Sequence, residues 1–416
     1  MKIVNTMKNT SEQPIELQTA QHLILDFCFD LEAEGVPLAE SLGRYPASNL
    51  VALEALPGYD QSLRDGYAIG SDGPAGIRKS VHTFKIVDEV AAGDTRKLVL
   101  RAGEAIRIMT GGLIPANCIA VIPEEICDAS GITLIVPASF SESVMTFIHT
   151  KGNELAEGQV IVPKGVSISP EHLILLAGVG YDTVQVIREP CVSFFCTGSE
   201  LVTGTEVKTA GKKFSANSPL LKGLLQQAGV KLHEQQTVTD DPEAVLRVIT
   251  DMAQAGCDIL VSTGGMGPGK FDLIEETFCQ AGGKVIYNSL QLRPGKSTLF
   301  GILGNTLFFG MPGPPPAVYL LFNELIRPAI LALQGAKRSR PQKLKARLTE
   351  DLFFPKRGLA RLKGGVFSLK DANCLVRQAK RTERSNCYIY CPAAQRQMRT
   401  GEMVTVHLSE PASFII

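Results

Sequence analysis

From Pro190 to about Gln334 the sequence alternates apolar β-type runs with helical ones, and no other feature restricts the fold so tightly. VSFFCTG, KLHEQQTV, CDILVSTGG and NTLFFGMPG read as strands. NSPLLKGLLQQAG, PEAVLRVITDMAQAG, FDLIEETFCQAGG and PAVYLLFNELIRPAILALQG read as helices. Such alternation predicts a parallel sheet covered by helices on both faces, a three-layer α/β domain. In sheets of this type ligands bind beyond the carboxyl ends of the strands.

The chain has 416 residues, too many for one ordinary compact domain, and its flanks differ in texture from this central stretch. Leu17 to Leu31 has a helical apolar period, with Gln21, Ile24, Phe27 and Leu31 set against a core. From about Val51 to Ser143, short β-type runs such as HTFKIVDEVAAGD and CIAVIPEE are separated by Gly, Asp and Pro, which predicts a mostly β module. KGNELAEGQVIVPKGVSIS, between His149 and Ser169, predicts a hairpin or strand pair. A helix follows, with Ser169 as cap, Pro170 in the first turn and Glu171 at the positive helix end. After about Lys337, GGVFSLK, CYIYCPA and GEMVTVHLS predict a small β domain. The resulting plan is a multidomain α/β chain. It comprises a helical and linker domain (13–48 with 147–187), an inserted β-rich domain (49–146), the α/β domain (188–335) and a C-terminal β domain (336–416).

Charge and cysteine content narrow the function classes. Lys+Arg and Asp+Glu both number 42, so no global charge favours nucleic acid or a membrane surface. Between Ala336 and Arg384, however, 15 Lys+Arg face 4 Asp+Glu, which is either a surface for an anionic partner or a solvated face. Ten cysteines include no C-x-x-C pair, and Cys387 and Cys391 share one face of a strand-like run, as core thiols rather than ligands. The N-terminal MKIVNTMKNTSEQPIELQ has no apolar signal core, and no apolar run reaches the length of a membrane span. The expectation is a reduced, cytoplasmic protein.

Candidate chemistry concentrates at the carboxyl ends of the predicted strands. STGGMGPGKFD (Ser262 to Asp272) follows an apolar strand and precedes a helix. Its glycines let backbone N–H groups approach an anion, although a tight turn without ligand explains the same pattern. It matches neither phosphate-binding pattern, G-x-x-x-x-G-K-[ST] or G-x-G-x-x-G. LRPGKSTLFG offers Arg293 and Lys296 around a Pro-Gly turn, either phosphate-binding cations or ordinary surface charges. FFGMPGPPPAV ends a strand in a stiff Gly/Pro loop. In the β module, PGYDQSLRDGYAI suggests an exposed functional loop around Asp65, and RIMTGGLIP places Thr110 before two glycines. Thr110 either binds an oxyanion or caps its turn.

Together these stretches resemble the molybdopterin molybdenumtransferase family, the MoeA proteins and gephyrin E domains. DQSLRDGYA stands for the family's D-N-S-x-M-D-G-Y-A loop and RIMTGGLIP for R-I-x-T-G-A-x-x-P. GGMGPGKFD stands for G-G-x-S-x-G-x-x-D, RPGKS for K-P-G-K-P, and GMPGPPPA for G-L-P-G-N-P-x-S. The resemblance implies a four-domain homodimer whose α/β domain binds molybdopterin, with β-module residues entering from the other subunit. It implies insertion of molybdate into adenylated molybdopterin, release of AMP, and assistance by Mg²⁺. Asp65, Thr110 and Asp272 would be catalytic, with Asp65 and Asp272 holding the metal. Ser62, Gly264, Gly265, Gly267, Gly269, Lys270, Arg293, Lys296, Ser297, Pro312 and Gly313 would bind substrate. Transient contact with a molybdopterin adenylyltransferase or with recipient molybdoenzymes is implied as well.

Several positions depart from the family pattern. TGSEL puts Ser199 where T-G-D-E-L has a carboxylate, and KKFSANS keeps Asn217 but replaces an aspartate by Ser215. Ser289 and Arg293 stand for lysines, Glu154 for an aspartate, and Pro314 for the asparagine of P-G-N-P. Two readings therefore stay open: an active transferase, or a non-catalytic molybdopterin-binding carrier or maturation factor for molybdenum or tungsten enzymes.

Overall fold

The structure, a computed structural model, describes residues 13–70, 82–137, 147–202, 209–266, 273–354 and 358–409. Its central part is a six-stranded sheet built from β1 (Val192–Thr197), β2 (Leu232–Val238), β3 (Ile259–Thr263), β4 (Lys284–Ser289), β5 (Ser297–Leu303) and β6 (Thr306–Met311). The order across the sheet is β2-β1-β3-β6-β5-β4. β2, β1, β3 and β6 run parallel, as the alternation predicts. The sheet as a whole is mixed: β5 runs antiparallel to both β6 and β4, and the sequence pattern leaves β4 and β5 unassigned. The short Gly304 turn between β5 and β6 explains this reversal, since a parallel pair needs a long crossover.

Helices α1 (Asn217–Gln227), α2 (Pro242–Gln254), α3 (Ile274–Gln280) and α4 (Pro315–Leu333) complete the unit. Successive residues of a strand face opposite sides, so Phe194 of β1, Val261 of β3 and Phe309 of β6 lie in register on one face. There they pack with Leu221 and Leu225 of α1, with α4, and with Leu17, Ala20 and Ile24 of the helix Leu17–Phe27. Phe195, Leu260 and Phe308 point the other way, onto Val245, Ile249 and Met252 of α2 and Phe278 of α3. Phe278 stacks on Phe308 at 4.3 Å between ring centroids. Both faces are therefore dry, which is why these strands are continuously apolar.

α4 has the length and the mean hydropathy, 1.4, of a membrane span, yet most of it is buried in this core. It contains a π-type turn at Phe322–Ile326. Pro328 has no N–H to give to the carbonyl of Glu324, and that carbonyl accepts instead from Gln21 Nε2 at 3.0 Å. The Glu324 carboxylate lies against His407 Nδ1 at 2.9 Å. The N-terminal helix, α4 and the last strand of the chain thus meet at one buried polar cluster.

Two sequence expectations change. The N-terminal helix ends at Phe27 rather than Leu31. The expected hairpin around residues 149–169 is absent, because both strands pair non-locally: Ile148–His149 with Gln61–Ser62, and Val160–Val162 with Leu50–Val51. Ala33–Pro37 pairs antiparallel with Thr183–Ile187, joining the two ends of the N-terminal unit. Between them lies a six-stranded sheet in the order Cys118–Pro123, Gly66–Gly70, Glu104–Ile108, His82–Val90, Thr133–Val136, Asp128–Ser130.

In the C-terminal part, Ala360–Lys370 pairs with both Asn373–Gln378 and Cys387–Cys391, which closes five strands into a ring. Cys387 and Cys391 are buried inside it as core thiols, and burial pushes both up to about 12. The described cysteines are all free.

Candidate functional site

Three loops leave the carboxyl ends of adjacent parallel strands and line one cavity of about 680 Å³. β1 delivers Thr197 and Gly198, β3 delivers Gly264 and Gly265, and β6 delivers Pro312 to Pro315. The two glycines after β3 have a structural reason. Both have positive φ, +96° and +61°, and a Cβ on Gly264 would stand 2.3 Å from the Thr197 carbonyl oxygen. The β3 turn is therefore pressed against the β1 turn, and Gly264 N donates to Met311 O of β6 at 3.1 Å.

Polar groups converge on this floor. Asp240, just after β2, accepts from Thr197 Oγ1 at 2.6 Å and from the Ser199 backbone N–H at 2.8 Å. A carboxylate thus stands beside Ser199, the position where the family pattern has its own. Glu200 also lines the cavity. Asn217, the first residue of α1, donates through Nδ2 to Gly313 O at 2.8 Å and to Thr263 Oγ1 at 3.2 Å. Its Oδ1 is buried and has no partner among the described residues, although the residue faces the cavity. An orphaned acceptor at a cavity wall is available to a ligand N–H. The wall is apolar where Phe214, 50% exposed, stands across from the prolines. Those prolines also limit the β6–α4 turn: Pro312, Pro314, Pro315 and Pro316 carry no N–H, leaving Gly313 as the only backbone donor of that turn.

A second polar rim forms in the β-rich part. Asp65 Oδ1 accepts from the Thr110 backbone N–H at 2.7 Å and from its hydroxyl at 2.8 Å. These two bonds, the backbone one first, hold the Asp65 carboxyl below the usual carboxylate range. Ser62 is buried; its hydroxyl donates to Arg64 O, and its backbone exchanges bonds with Gly111 and Gly112. Asp60 accepts from the Lys151 N–H at 2.7 Å. Three separate stretches, DQSLRD, TGGLIP and TKGN, are zipped into one rim.

Of the expected substrate-binding residues, Gly264, Gly265, Ser297, Pro312 and Gly313 line the α/β cavity. Arg293 and Lys296 are exposed and absent from its lining. Arg293 is drawn aside because its backbone pairs with Arg361 of the C-terminal sheet. Ser62, Asp65 and Thr110 do not reach the cavity of their own chain. Gly267, Gly269, Lys270 and Asp272 lie outside the described residues. Sequence reasoning missed Asp240. The available signal was its position directly after β2 and before the helix-capping Asp241, which accepts from Ala244 N at 2.9 Å.

Among the described residues, no cluster of three or more His, Cys, Asp or Glu is arranged to hold a metal. Asp240 and Glu200 nonetheless supply two carboxylates to one cavity. Two hard oxygen donors suit Mg²⁺, which commonly completes its shell with substrate phosphates and water.

Residues 15–180 match a family model described as the MoeA N-terminal region (domain I and II), and residues 193–332 one described as a probable molybdopterin binding domain. The chain is 30% identical over 410 residues to a molybdopterin molybdenumtransferase of Staphylococcus epidermidis, covering 96% of this chain and 97% of that protein. A molybdopterin molybdenumtransferase of Staphylococcus aureus is also 30% identical, over 406 residues, covering 95% of this chain and 96% of the relative. Among solved structures, a molybdopterin biosynthesis moeA protein of Pyrococcus horikoshii superposes with a TM-score of 0.77 at 26% identity, covering 95% of this chain and 100% of the other.

Proposed function

The chain belongs to the molybdopterin molybdenumtransferase family, and from that premise we propose that it acts in molybdenum cofactor biosynthesis, inserting molybdate into adenylated molybdopterin with release of AMP. The observation that carries this reading is the cavity where the β1, β3 and β6 loops meet two carboxylates and an unpartnered amide oxygen. A pterin is flat and rich in N–H donors. Phe214 and Pro312 offer it an apolar wall, and Asn217 Oδ1 offers an acceptor. The α1 N-terminus, which opens on the same cavity, favours a phosphate.

Mg²⁺ bound there would neutralise charge developing on the phosphoanhydride. Asp240 and Glu200 are the described residues that would hold it, joined by Asp272. Thr197 and the Ser199 N–H orient the Asp240 carboxylate toward that task.

Asp65 and Thr110 act, in this proposal, on the cavity of a second copy of the chain. What supports this is that the rim is ordered and its acid is held ionised, while its own chain's cavity lacks it. Arg293 and Lys296, outside that cavity's lining, then serve phosphate or molybdate oxygens of the substrates. The division at 49–146, 188–335 and 336–416, a cytoplasmic location, and transient exchange with an adenylyltransferase or recipient molybdoenzymes belong to the same reading.

A second reading has its own support. The donor-poor Pro312–Pro316 turn and the serines at 199, 215 and 289 suit a carrier that binds molybdopterin without turning it over. One assay separates the two. Purified protein is incubated with adenylated molybdopterin, molybdate and Mg²⁺, and AMP is followed. Transferase activity predicts molybdate-dependent AMP release; tight pterin binding with no AMP makes the protein a carrier.

A further inference from the structure

A second, much smaller cavity, about 100 Å³, lies where α4, the linker after it and the end of the last strand meet. Arg327 of α4 and Arg338 and Arg340 of the linker line it, with Ser409 at the strand end, and no Asp or Glu is among its described lining residues. Three guanidinium groups around one cleft repel one another, a cost relieved when an anion sits between them.

We propose that this cleft binds a small tetrahedral oxyanion of the sulfate, phosphate and molybdate class. Two of its cations are set in place: Arg327 Nη1 donates to Ser409 O, and the Arg340 guanidinium lies 2.8 and 3.2 Å from the two ring nitrogens of His22. Arg338 makes no hydrogen bond or ion pair among the described residues. Ser409 is 2% exposed, and its hydroxyl has no partner among the described residues, a buried donor at the wall of a basic cleft. The nearest acid along α4, Glu324, is turned away into its contacts with Gln21 and His407.

Size sets the ligand class. The cleft is well below the volumes that hold drug-sized ligands or nucleotides, whereas guanidinium forks match the oxygens of a small oxyanion. It also gives the basic run after Ala336 a specific role at its first members. An anion held there ties the α/β unit to the C-terminal ring through the linker, and it stabilises the folded chain by mass action.

The test uses the full chain, titrated with sulfate, phosphate and molybdate against chloride at fixed ionic strength, by calorimetry and by unfolding midpoint. Saturable binding and a rising midpoint with the oxyanions, but not chloride, are expected. In an R338Q/R340Q variant whose midpoint in chloride is unchanged, affinity should fall at least about tenfold per arginine removed. Ser409→Ala should weaken binding less. A K213A/R293A/K296A variant, which changes Lys213 of the α/β cavity lining and the two substrate-binding candidates Arg293 and Lys296 instead, should keep the response. The proposal is overturned if no oxyanion binds saturably, if R338Q/R340Q binds like the parent, or if only the K213A/R293A/K296A variant loses the response.

Discussion

The two polar rims of this molecule are built on opposite plans. At the α/β cavity, rigid strand ends bring Cys196, Thr263 and Met311 level, and the loops that follow them line one space. Among the described residues, the β-rich rim is built without a cavity floor of this kind. Asp65, Thr110, Ser62 and Asp60 instead fasten loops to one another. One rim has room for a ligand and an unsatisfied acceptor. The other has an ionised acid that does not line that cavity in its own chain. In the proposed reading, each completes the other across two copies.

The largest effect should come from severing that relation. Asp65→Asn should lower AMP release by about 10²–10³-fold with little change in unfolding midpoint, because the side chain is exposed. Mixing Asp65→Asn with Asp240→Asn protein, each impaired, should then restore activity through mixed dimers. No restoration would confine the site to one chain. Next comes Gly264→Ala. It combines a positive φ with a Cβ set 2.3 Å from the Thr197 carbonyl, and should cost about 1–3 kcal/mol of stability in denaturant unfolding, along with activity. A matching change in the other rim, Gly111→Ala, also has a positive φ, but its Cβ would meet only Ala92 Cβ at 3.7 Å and it should cost less.

Asn217→Ala should raise the KM for the pterin substrate about tenfold with a smaller change in kcat, since it removes one binding acceptor. The smallest effect concerns Thr110→Ala. The Asp65 carboxyl is held below its ordinary value, so the contribution of its bonds is present above that value and is lost as pH falls through the lower folded one. The variant removes the hydroxyl but keeps the backbone N–H, the larger cause. Its carboxyl should therefore move only part of the way back, as NMR titration would show.

Much of this was legible in the sequence for local reasons. The continuous apolar runs VSFFC, ILVST and TLFFGM announce strands buried on two faces. The Gly-Gly after Thr263 announces a turn pressed against its neighbour. Ser169-Pro170-Glu171 announces a helix start, which begins at Pro170. β4 and β5 were not legible, because a mixed edge has no periodic signature distinct from a loop rich in Pro and Gly. The pairing of Val160–Val162 with Leu50–Val51 was hidden for a related reason: period-two alternation identifies a strand but not its partner.

The sequence by itself determined which segments are strands and helices and that polar chemistry gathers at their ends, since these follow from hydrophobic period and from the conformational needs of Gly and Pro. Tertiary structure alone decided which polar groups share a space. It put Asp240 rather than a local carboxylate beside Ser199, left Asn217 Oδ1 open to a cavity, and gathered Arg327, Arg338 and Arg340 around one cleft. Those distances depend on strand order and loop packing, contacts between residues far apart in the chain that no local pattern encodes.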